Sequence, residues 1–117
     1  MKKLIPGPYT FVLPAAKEVP KLLWTKRKTV GIRVPDNNIA RTLAQELGNP
    51  IISTSATTRK GELIFDPIEI KTIFNTSVDL MLSMGALNGV PSSIIDLSGD
   101  TVEIVREGSG DLSFFTN

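Results

Sequence analysis

Five hydroxyl side chains lie within six consecutive positions near the middle of this chain, directly after two isoleucines. This hydroxyl row consists of Ser53, Thr54, Ser55, Thr57 and Thr58. Hydroxyl and backbone N–H groups together bind phosphate or carboxylate oxygens, and ligands of open α/β sheets lie beyond the carboxyl ends of strands. Because we predict a strand over residues 50–54, the hydroxyl row fits a binding loop. Hydroxyls that only satisfy the backbone of a turn give the same pattern, so both interpretations stay open.

Two arginines stand where a guanidinium needs a partner or a ligand. Arg33 falls inside a predicted apolar strand over residues 29–34, so it must emerge on a polar face or reach an acidic side chain or a ligand anion. Arg106 follows the last predicted strand and precedes the glycine-containing residues 107–110. Residues 91–93 are a proline and two serines, an ordinary start of a strand or part of a site. The glycine spacing matches neither nucleotide-binding fingerprint, G-x-x-x-x-G-K-[ST] or G-x-G-x-x-G.

Positive charge is concentrated in the first third of the chain. Residues 1–41 hold nine Lys or Arg and two acids, whereas residues 42–117 hold four and ten. The densest group is the basic cluster of Lys26, Arg27 and Lys28. This basic cluster is either a solvated loop or a surface that contacts the phosphate backbone of a nucleic acid. Aromatic residues are not interleaved with it, so base stacking is not indicated.

The composition excludes several kinds of chemistry. With no cysteine and no histidine in 117 residues, the chain has no disulfide, no thiol nucleophile and no Ser-His-Asp triad of its own. No apolar run approaches the roughly 20 residues that span a bilayer. We therefore expect one cytoplasmic domain over residues 1–117, without a metal site, a tightly bound cofactor or a membrane partner.

Strand and helix patterns alternate along the chain. Strands are predicted over residues 9–13, 29–34, 50–54, 78–82, 93–97 and 101–105. One helix begins after Asn37 or Asn38 and ends at Gly48, and a second is capped by Asp66 and has a buried face that includes Ile73. The alternation predicts an α/β fold whose sheet contains parallel pairs and ends in a β-hairpin.

Six segments, taken in order, resemble the YrdC family, and its YciO branch is the closer match. They are PGPYTFVL (6–13), TVGIRVP (29–35), STSA (53–56), VDL (78–80), PSSIIDL (91–97) and VREG (105–108). The resemblance runs over nearly the whole chain with similar spacing. It implies a YrdC-like twisted mixed sheet with flanking helices and a basic, concave cavity.

Characterised YrdC-like proteins make threonylcarbamoyl-AMP from L-threonine, bicarbonate and ATP, and partner proteins transfer the threonylcarbamoyl group to tRNA. The resemblance therefore implies ATP, with magnesium, as a substrate of this domain. It implies nucleotide contacts from Thr29, Ser55 and Arg106. It implies L-threonine contacts from Arg33, Ser53 and Ser92.

Binding of double-stranded RNA or tRNA is also implied by the resemblance, and we assign it to the basic cluster of Lys26, Arg27 and Lys28. Two differences separate the chain from the synthases. Ala56 is followed by Thr57, where the synthases typically continue with Asn, so one hydroxyl replaces an amide with two donors. The resemblance also begins in the middle of the family domain.

From these differences we expect a nucleotide- and RNA-binding domain that is not a competent synthase alone. Two alternatives are an active L-threonylcarbamoyladenylate synthase completed by another chain, and a double-stranded RNA-binding module. Without the upstream part of the domain, an apolar face and strand edges would be exposed. The sequence therefore also predicts a homodimer.

Overall fold

A four-stranded mixed sheet forms the first of two compact units in this computed structural model, which describes residues 2–87 and 89–116. The first unit combines residues 1–41 with residues 90–117, and the second unit is residues 42–89. The strands are β1 (Tyr9–Pro14), β2 (Thr29–Ile32), β3 (Ser93–Asp96) and β4 (Glu103–Arg106). Their order is β2-β1-β3-β4; β1 is antiparallel to β2 and parallel to β3, and β3 is antiparallel to β4. The predicted parallel pair and terminal hairpin are confirmed.

One face of the sheet carries the hydrophobic core of the first unit. Tyr9, Phe11 and Ile95 are buried together there. Phe115 packs on both rings, with centroid distances of 6.3 Å to Tyr9 and 6.5 Å to Phe11. This face arises because side chains alternate along a strand, and the register of β1 with β3 puts Tyr9, Phe11 and Ile95 on the same side. Of the two adjacent phenylalanines in the tail, Phe115 docks on the core, while Phe114 is 66% exposed.

The opposite side of the sheet, which we call the polar face, carries hydrogen-bonding and charged side chains. In the register of the sheet, Thr10 pairs with Ile94, and Ile94 pairs with Arg106. Residues that pair across a sheet share a face, so these three side chains lie on one side. Asp96, two residues after Ile94, lies on that side as well. The topology thus brings the predicted site residue Arg106 onto the polar face.

Both predicted helices are present and begin where the capping residues indicate. Helix α1 spans Asn38–Leu47, and Asn37 Oδ1 accepts a hydrogen bond of 3.0 Å from a first-turn N–H. The helix ends before Gly48, whose φ of +74° lies in the left-handed region that glycine adopts without strain. Helix α2 spans Pro67–Phe74, and Asp66 Oδ1 accepts a hydrogen bond of 2.9 Å from a first-turn N–H.

The remaining helical elements are short. Two 3₁₀ helices, Lys2–Leu4 and Lys21–Leu23, accompany α1 and α2. Within residues 2–87 and 89–116, no helix has both the length and the apolar character needed to cross a membrane.

The second unit lacks the two strands predicted for it. Residues 50–54 and 78–82 form no strand, and the isolated bridge described in this unit joins Thr57 to Leu63. A strand needs a neighbour that pairs with its N–H and C=O groups, and an apolar sequence does not supply that neighbour. These two predictions are therefore wrong. They rested on the apolar composition of the two segments, which does not show that a segment has a strand to pair with.

Exposed apolar side chains characterise the second unit. Among its described residues, Ile64 is the buried hydrophobic one, at 6% exposure. Ile73 was predicted to be buried on α2 but is 46% exposed. The exposed apolar set, the most exposed large hydrophobic residues of this unit, consists of Ile52, Ile68 and Leu80. The described part of the second unit therefore lacks a hydrophobic core comparable to that of the first.

Candidate functional site

Arg106 is hydrogen-bonded to a serine that the sequence also predicts as a site residue. Its Nε and Nη2 atoms donate to the Ser92 carbonyl oxygen at 3.0 and 2.7 Å, and Nη2 also donates to Ser92 Oγ at 3.3 Å. Ser92 Oγ lies 2.7 Å from Thr10 Oγ1. Thr10, Ser92 and Arg106 thus form a continuous hydrogen-bonded group, which we call the Arg106 site.

The Arg106 site leaves part of the guanidinium available. Ser92 is buried, whereas Arg106 is exposed. A guanidinium has five N–H donors, and the bonds to Ser92 use its Nε and Nη2 atoms. In the described part of the chain, no residue accepts a hydrogen bond from Nη1.

Arg106 is the last residue of β4, so its predicted position beyond the last strand is wrong; the strand pairs one residue further than the apolar pattern indicates.

Ser93 fixes the loop that follows Arg106. Its side chain is fully buried, and its Oγ donates to the Gly110 carbonyl oxygen at 2.8 Å. The same oxygen accepts hydrogen bonds of 3.0 Å from the N–H groups of Gly108 and Gly110. One hydroxyl therefore satisfies three backbone groups and holds residues 108–110 against the start of β3.

Two glycines make this close contact sterically feasible. A Cβ atom on Gly108 would collide with the Pro91 carbonyl oxygen and lie 2.6 Å from that of Ser92. A Cβ atom on Gly110 would lie 2.5 Å from Cε1 of Tyr9. Both glycines are needed because backbone passes directly against backbone or ring, and any side chain would separate the two segments.

Thr29 uses its hydroxyl within the fold. It is buried, and its Oγ1 lies 2.7 Å from Thr25 Oγ1, which also accepts a hydrogen bond of 3.3 Å from the Thr29 N–H. Thr29 begins β2 at the opposite corner of the sheet from Arg106. Strand spacing and rise place the two residues about 19 Å apart, so one phosphate group cannot contact both.

Arg33 lies just beyond the end of β2. It is exposed, and no described acidic side chain forms an ion pair with it. The ion pair present in the described part of the first unit instead joins Arg41 to Asp36 at 3.6 Å. The predicted position of Arg33 inside a strand is wrong, because β2 ends at Ile32. Its predicted contact with L-threonine remains a prediction.

The hydroxyl row of the second unit divides into two parts. Ser53 and Ser55 are exposed, and neither hydroxyl bonds to a described residue. Thr58 Oγ1 instead accepts hydrogen bonds of 3.2 Å from the N–H groups of Lys60 and Glu62. The turn interpretation therefore holds for Thr58, while the ligand role of Ser53 and Ser55 stays a prediction.

A shallow groove of this unit is lined by Pro67, Ile68, Lys71, Met81 and Ser83, none of which is a predicted site residue.

The basic cluster forms an exposed loop before β2. Lys26, Arg27 and Lys28 are all exposed, and Lys28 has a φ of +57°, which is uncommon for a residue with a side chain.

Ser98 donates to Asp96 Oδ1 from its hydroxyl at 2.6 Å and its N–H at 2.8 Å, which lowers the pKa of Asp96. The charge of Arg27 lowers this pKa further. One cation of the basic cluster thus lies within the electrostatic reach of the polar face.

Two residues of this region were missed by the sequence analysis. Thr10 was read only as a strand residue, and Ser93 only as the companion of Ser92. The available signal was the spacing: Ser92 directly precedes β3 and Ser93 is its first residue, so the two adjacent side chains point to opposite sides and one must face the core, where it needs partners. The glycines at 108 and 110 indicated where those partners come from.

Comparison with known proteins identifies the family. A family model described as "Telomere recombination", for Sua5, YciO and YrdC proteins, matches residues 1–108. The chain belongs to this Sua5–YciO–YrdC family. The resemblance to the YrdC family and its YciO branch is thereby confirmed.

Individual relatives agree with this assignment. Escherichia coli YciO is 48% identical over 98% of this chain and 57% of its own length, and its crystal structure matches with a TM-score of 0.91. The threonylcarbamoyl-AMP synthase of Idiomarina loihiensis is 38% identical over 78% of this chain and 50% of its own length. The crystal structure of P. abyssi Sua5 complexed with L-threonine matches at 29% identity with a TM-score of 0.83, over 92% of this chain and 32% of that one. The chain spans a little over half of YciO, and the predicted α/β fold is confirmed.

Proposed function

We propose that this chain binds a nucleotide and L-threonine at the Arg106 site, as a domain related to threonylcarbamoyl-AMP synthesis for tRNA modification. The observation that carries the proposal is the direct contact between Arg106 and Ser92. The family resemblance assigns ATP phosphate to the first residue and L-threonine to the second. Ligands held by adjacent groups lie close enough to react, which is the main catalytic requirement for joining them. The P. abyssi Sua5 structure complexed with L-threonine supports the proposed binding of L-threonine.

The chemistry of Arg106 suits an anionic ligand. Its planar guanidinium matches the oxygens of a phosphate, and the bonds to Ser92 fix its orientation. By the family resemblance alone, Thr29 and Ser55 are also proposed as nucleotide contacts, and Arg33 and Ser53 as L-threonine contacts. Magnesium would enter with ATP, because the described residues bring no three acidic side chains together and this ion often binds largely through substrate phosphates.

The test is an amide-resolved NMR titration with ATP and magnesium, and separately with L-threonine. We expect shifts at Thr29, Ser55 and Arg106 with ATP. Arg106→Lys should weaken ATP binding about tenfold, since an ammonium cannot reproduce the two-point contact. Arg59→Lys, the matched exposed control, should leave the affinity within about twofold. A wild-type spectrum that ATP does not change would refute nucleotide binding.

We do not expect the chain alone to be a synthase. Thr57 replaces the amide that synthases typically have after Ala56, and the chain spans 57% of the length of YciO. The alternative is an L-threonylcarbamoyladenylate synthase completed by another chain. Pyrophosphate release that requires both L-threonine and bicarbonate would distinguish them. Pyrophosphate release should be measured with this chain alone. It should also be measured after adding the part of the Idiomarina loihiensis synthase that this chain does not match.

A second candidate function is binding of double-stranded RNA or tRNA in the cytoplasm. It is favoured by the exposure of Lys26, Arg27 and Lys28 together in one loop. Contacts of this kind would go to phosphates and would be indifferent to base sequence.

We also propose that the chain forms a homodimer. The exposed apolar set of Ile52, Ile68 and Leu80 has each side chain at least 69% exposed. Burying such side chains against a second copy would remove apolar surface from water, which favours association.

A further inference from the structure

We infer that Thr10 is a positioning residue for the Arg106 site, acting on Arg106 through the hydroxyl of Ser92. The inference rests on the proposed anion binding by Arg106. Thr10 Oγ1 lies 2.7 Å from Ser92 Oγ, and Ser92 Oγ accepts a hydrogen bond from Arg106 Nη2 at 3.3 Å. Thr10 touches neither the guanidinium nor a predicted ligand contact other than Ser92.

Counting hydrogens shows what Thr10 does. A guanidinium has no acceptor, so Ser92 Oγ must accept from Arg106 and keeps its own hydrogen. The bond between the hydroxyls of Thr10 and Ser92 uses one of their two hydrogens. One hydroxyl hydrogen of the pair therefore remains free to donate, on Ser92 if Thr10 is the donor and on Thr10 if Ser92 is the donor. Together with the Nη1 donors of Arg106, this free hydrogen makes the group rich in donors, which suits an oxygen-rich anion.

The orientation of Thr10 is set by its surroundings in the sheet. A Cβ atom on Gly31 would lie 3.3 Å from the Thr10 methyl group, so the absence of a side chain at Gly31 leaves room for that methyl. A β-branched residue has few allowed χ1 rotamers. With the methyl beside Gly31, the hydroxyl is directed to Ser92.

Without the Thr10 hydroxyl, the buried hydroxyl of Ser92 loses its partner. It would then rotate toward another acceptor, and its lone pairs would be less available to Arg106 Nη2. The Nε and Nη2 bonds to the Ser92 carbonyl oxygen would remain but would open more often, because the third bond that holds Nη2 is weakened. The guanidinium would therefore stay attached but become less well oriented.

The test compares Thr10→Val, which keeps the shape but removes the hydroxyl, with Thr10→Ser, which keeps the hydroxyl. Thr10→Ala provides a second hydroxyl-free variant should valine disturb folding. The first readout is hydrogen exchange of the Arg106 Nε–H in the ligand-free protein. We expect it to be several-fold faster in the valine and alanine variants and restored in the serine variant. The second readout is the dissociation constant for ATP with magnesium, which should rise about fivefold and be restored by serine.

The two readouts separate the inference from the proposed function. Failure of the wild type to bind ATP would refute nucleotide binding, and the exchange of the Arg106 Nε–H would still decide the role of Thr10. Unchanged exchange in the hydroxyl-free variants would overturn the inference. A serine variant that behaves like valine would also overturn it, since packing and not the hydroxyl would then be responsible.

Discussion

The guanidinium of Arg106 and the backbone carbonyl oxygen of Ser92 form a two-point contact, with Nε and Nη2 both donating to the same acceptor at 3.0 and 2.7 Å. Arg106 ends β4, and Ser92 directly precedes β3. The contact therefore extends the β3–β4 pairing with a side-chain bond to the backbone. The contact holds the guanidinium in one orientation, which reduces the reorganisation needed when it binds a ligand.

Ser93→Ala should strongly destabilise the first unit. The buried hydroxyl satisfies the N–H groups of Gly108 and Gly110 and the Gly110 carbonyl, and alanine would leave them unpaired. We expect a loss of about 3 kcal/mol in the free energy of unfolding, measured by urea denaturation. Ser109→Ala, an exposed serine in the same loop, should cost less than about 1 kcal/mol. Equal effects of the two variants would contradict the assigned role of Ser93.

Gly110→Ala should displace the loop from the aromatic core. The added Cβ atom would lie 2.5 Å from the Tyr9 ring, which is held by a hydrogen bond of 3.0 Å from its hydroxyl to the Asp111 carbonyl oxygen. We expect a loss of about 2 kcal/mol and a changed near-ultraviolet signal from Tyr9. Gly99→Ala is the matched control, since nothing lies within 4 Å of its Cβ position. An unaffected Gly110→Ala variant would show that the loop does not pack as described.

Asp96 should make the stability of the protein depend on acidity. Its pKa lies below the ordinary value of 3.8, chiefly because Ser98 donates two hydrogen bonds to it. A carboxyl with a lowered folded pKa contributes stability above its unfolded pKa, and the contribution is lost as the pH falls through the folded value. Ser98→Ala should move the pKa of Asp96 upward, toward 3.8, in a carbon-detected NMR titration. Ser109→Ala should not change it, and an unchanged value in Ser98→Ala would show that Ser98 does not control the pKa of Asp96.

Charge reversal of the basic cluster should weaken RNA binding and reduce its salt dependence. In the triple variant Lys26→Glu, Arg27→Glu, Lys28→Glu, the slope of log affinity against log salt should fall by about one for each phosphate that the protein no longer neutralises. Fluorescence anisotropy with a double-stranded RNA at several salt concentrations measures both quantities. The double variant Arg59→Glu, Lys60→Glu controls for net charge. If it weakens binding as much as the triple variant, the basic cluster has no special role.

Substituting the exposed apolar set should reduce self-association. Ile52→Asp, Ile68→Asp and Leu80→Asp together place charges where apolar burial would drive association. We expect the dimer dissociation constant from sedimentation velocity to rise by at least about tenfold. Leu22→Asp, an exposed leucine of the first unit at 92% exposure, is the control. A wild type that sediments as a monomer at every concentration would refute the dimer.

Local sequence signals predicted much of the fold. The starts of both helices were predicted from Asn37 or Asn38 and from Asp66, because a cap acts on its own first turn; the structure has Asn37 as the first cap. Aromatic and β-branched residues between two prolines predicted a strand over residues 9–13, and β1 is present there. By contrast, residues 50–54 have the composition of a strand but no partner, and pairing is a property of the whole fold.

The candidate site was predictable only in part, for a similar reason. Arg106 and Ser92 were recognised from their motifs, but nothing local indicated that the two side chains touch. Thr10 was missed because its role depends on the parallel pairing of β1 with β3. Ser93 was missed because three of its bonds go to a loop 15 to 17 residues further along.

The core of the first unit joins residue 9 to residues 111 and 115, and this affects how the unit folds. The Tyr9 hydroxyl bonds to the Asp111 carbonyl oxygen, 102 residues away, and Phe115 packs on the same ring. A ribosome must therefore synthesise nearly all of these 117 residues before the core can close. Until then, the apolar side chains of β1 have none of their late partners and depend on chaperones or on one another. Closing so large a loop is entropically costly, so folding should be slow and should follow release of residue 115 from the exit tunnel.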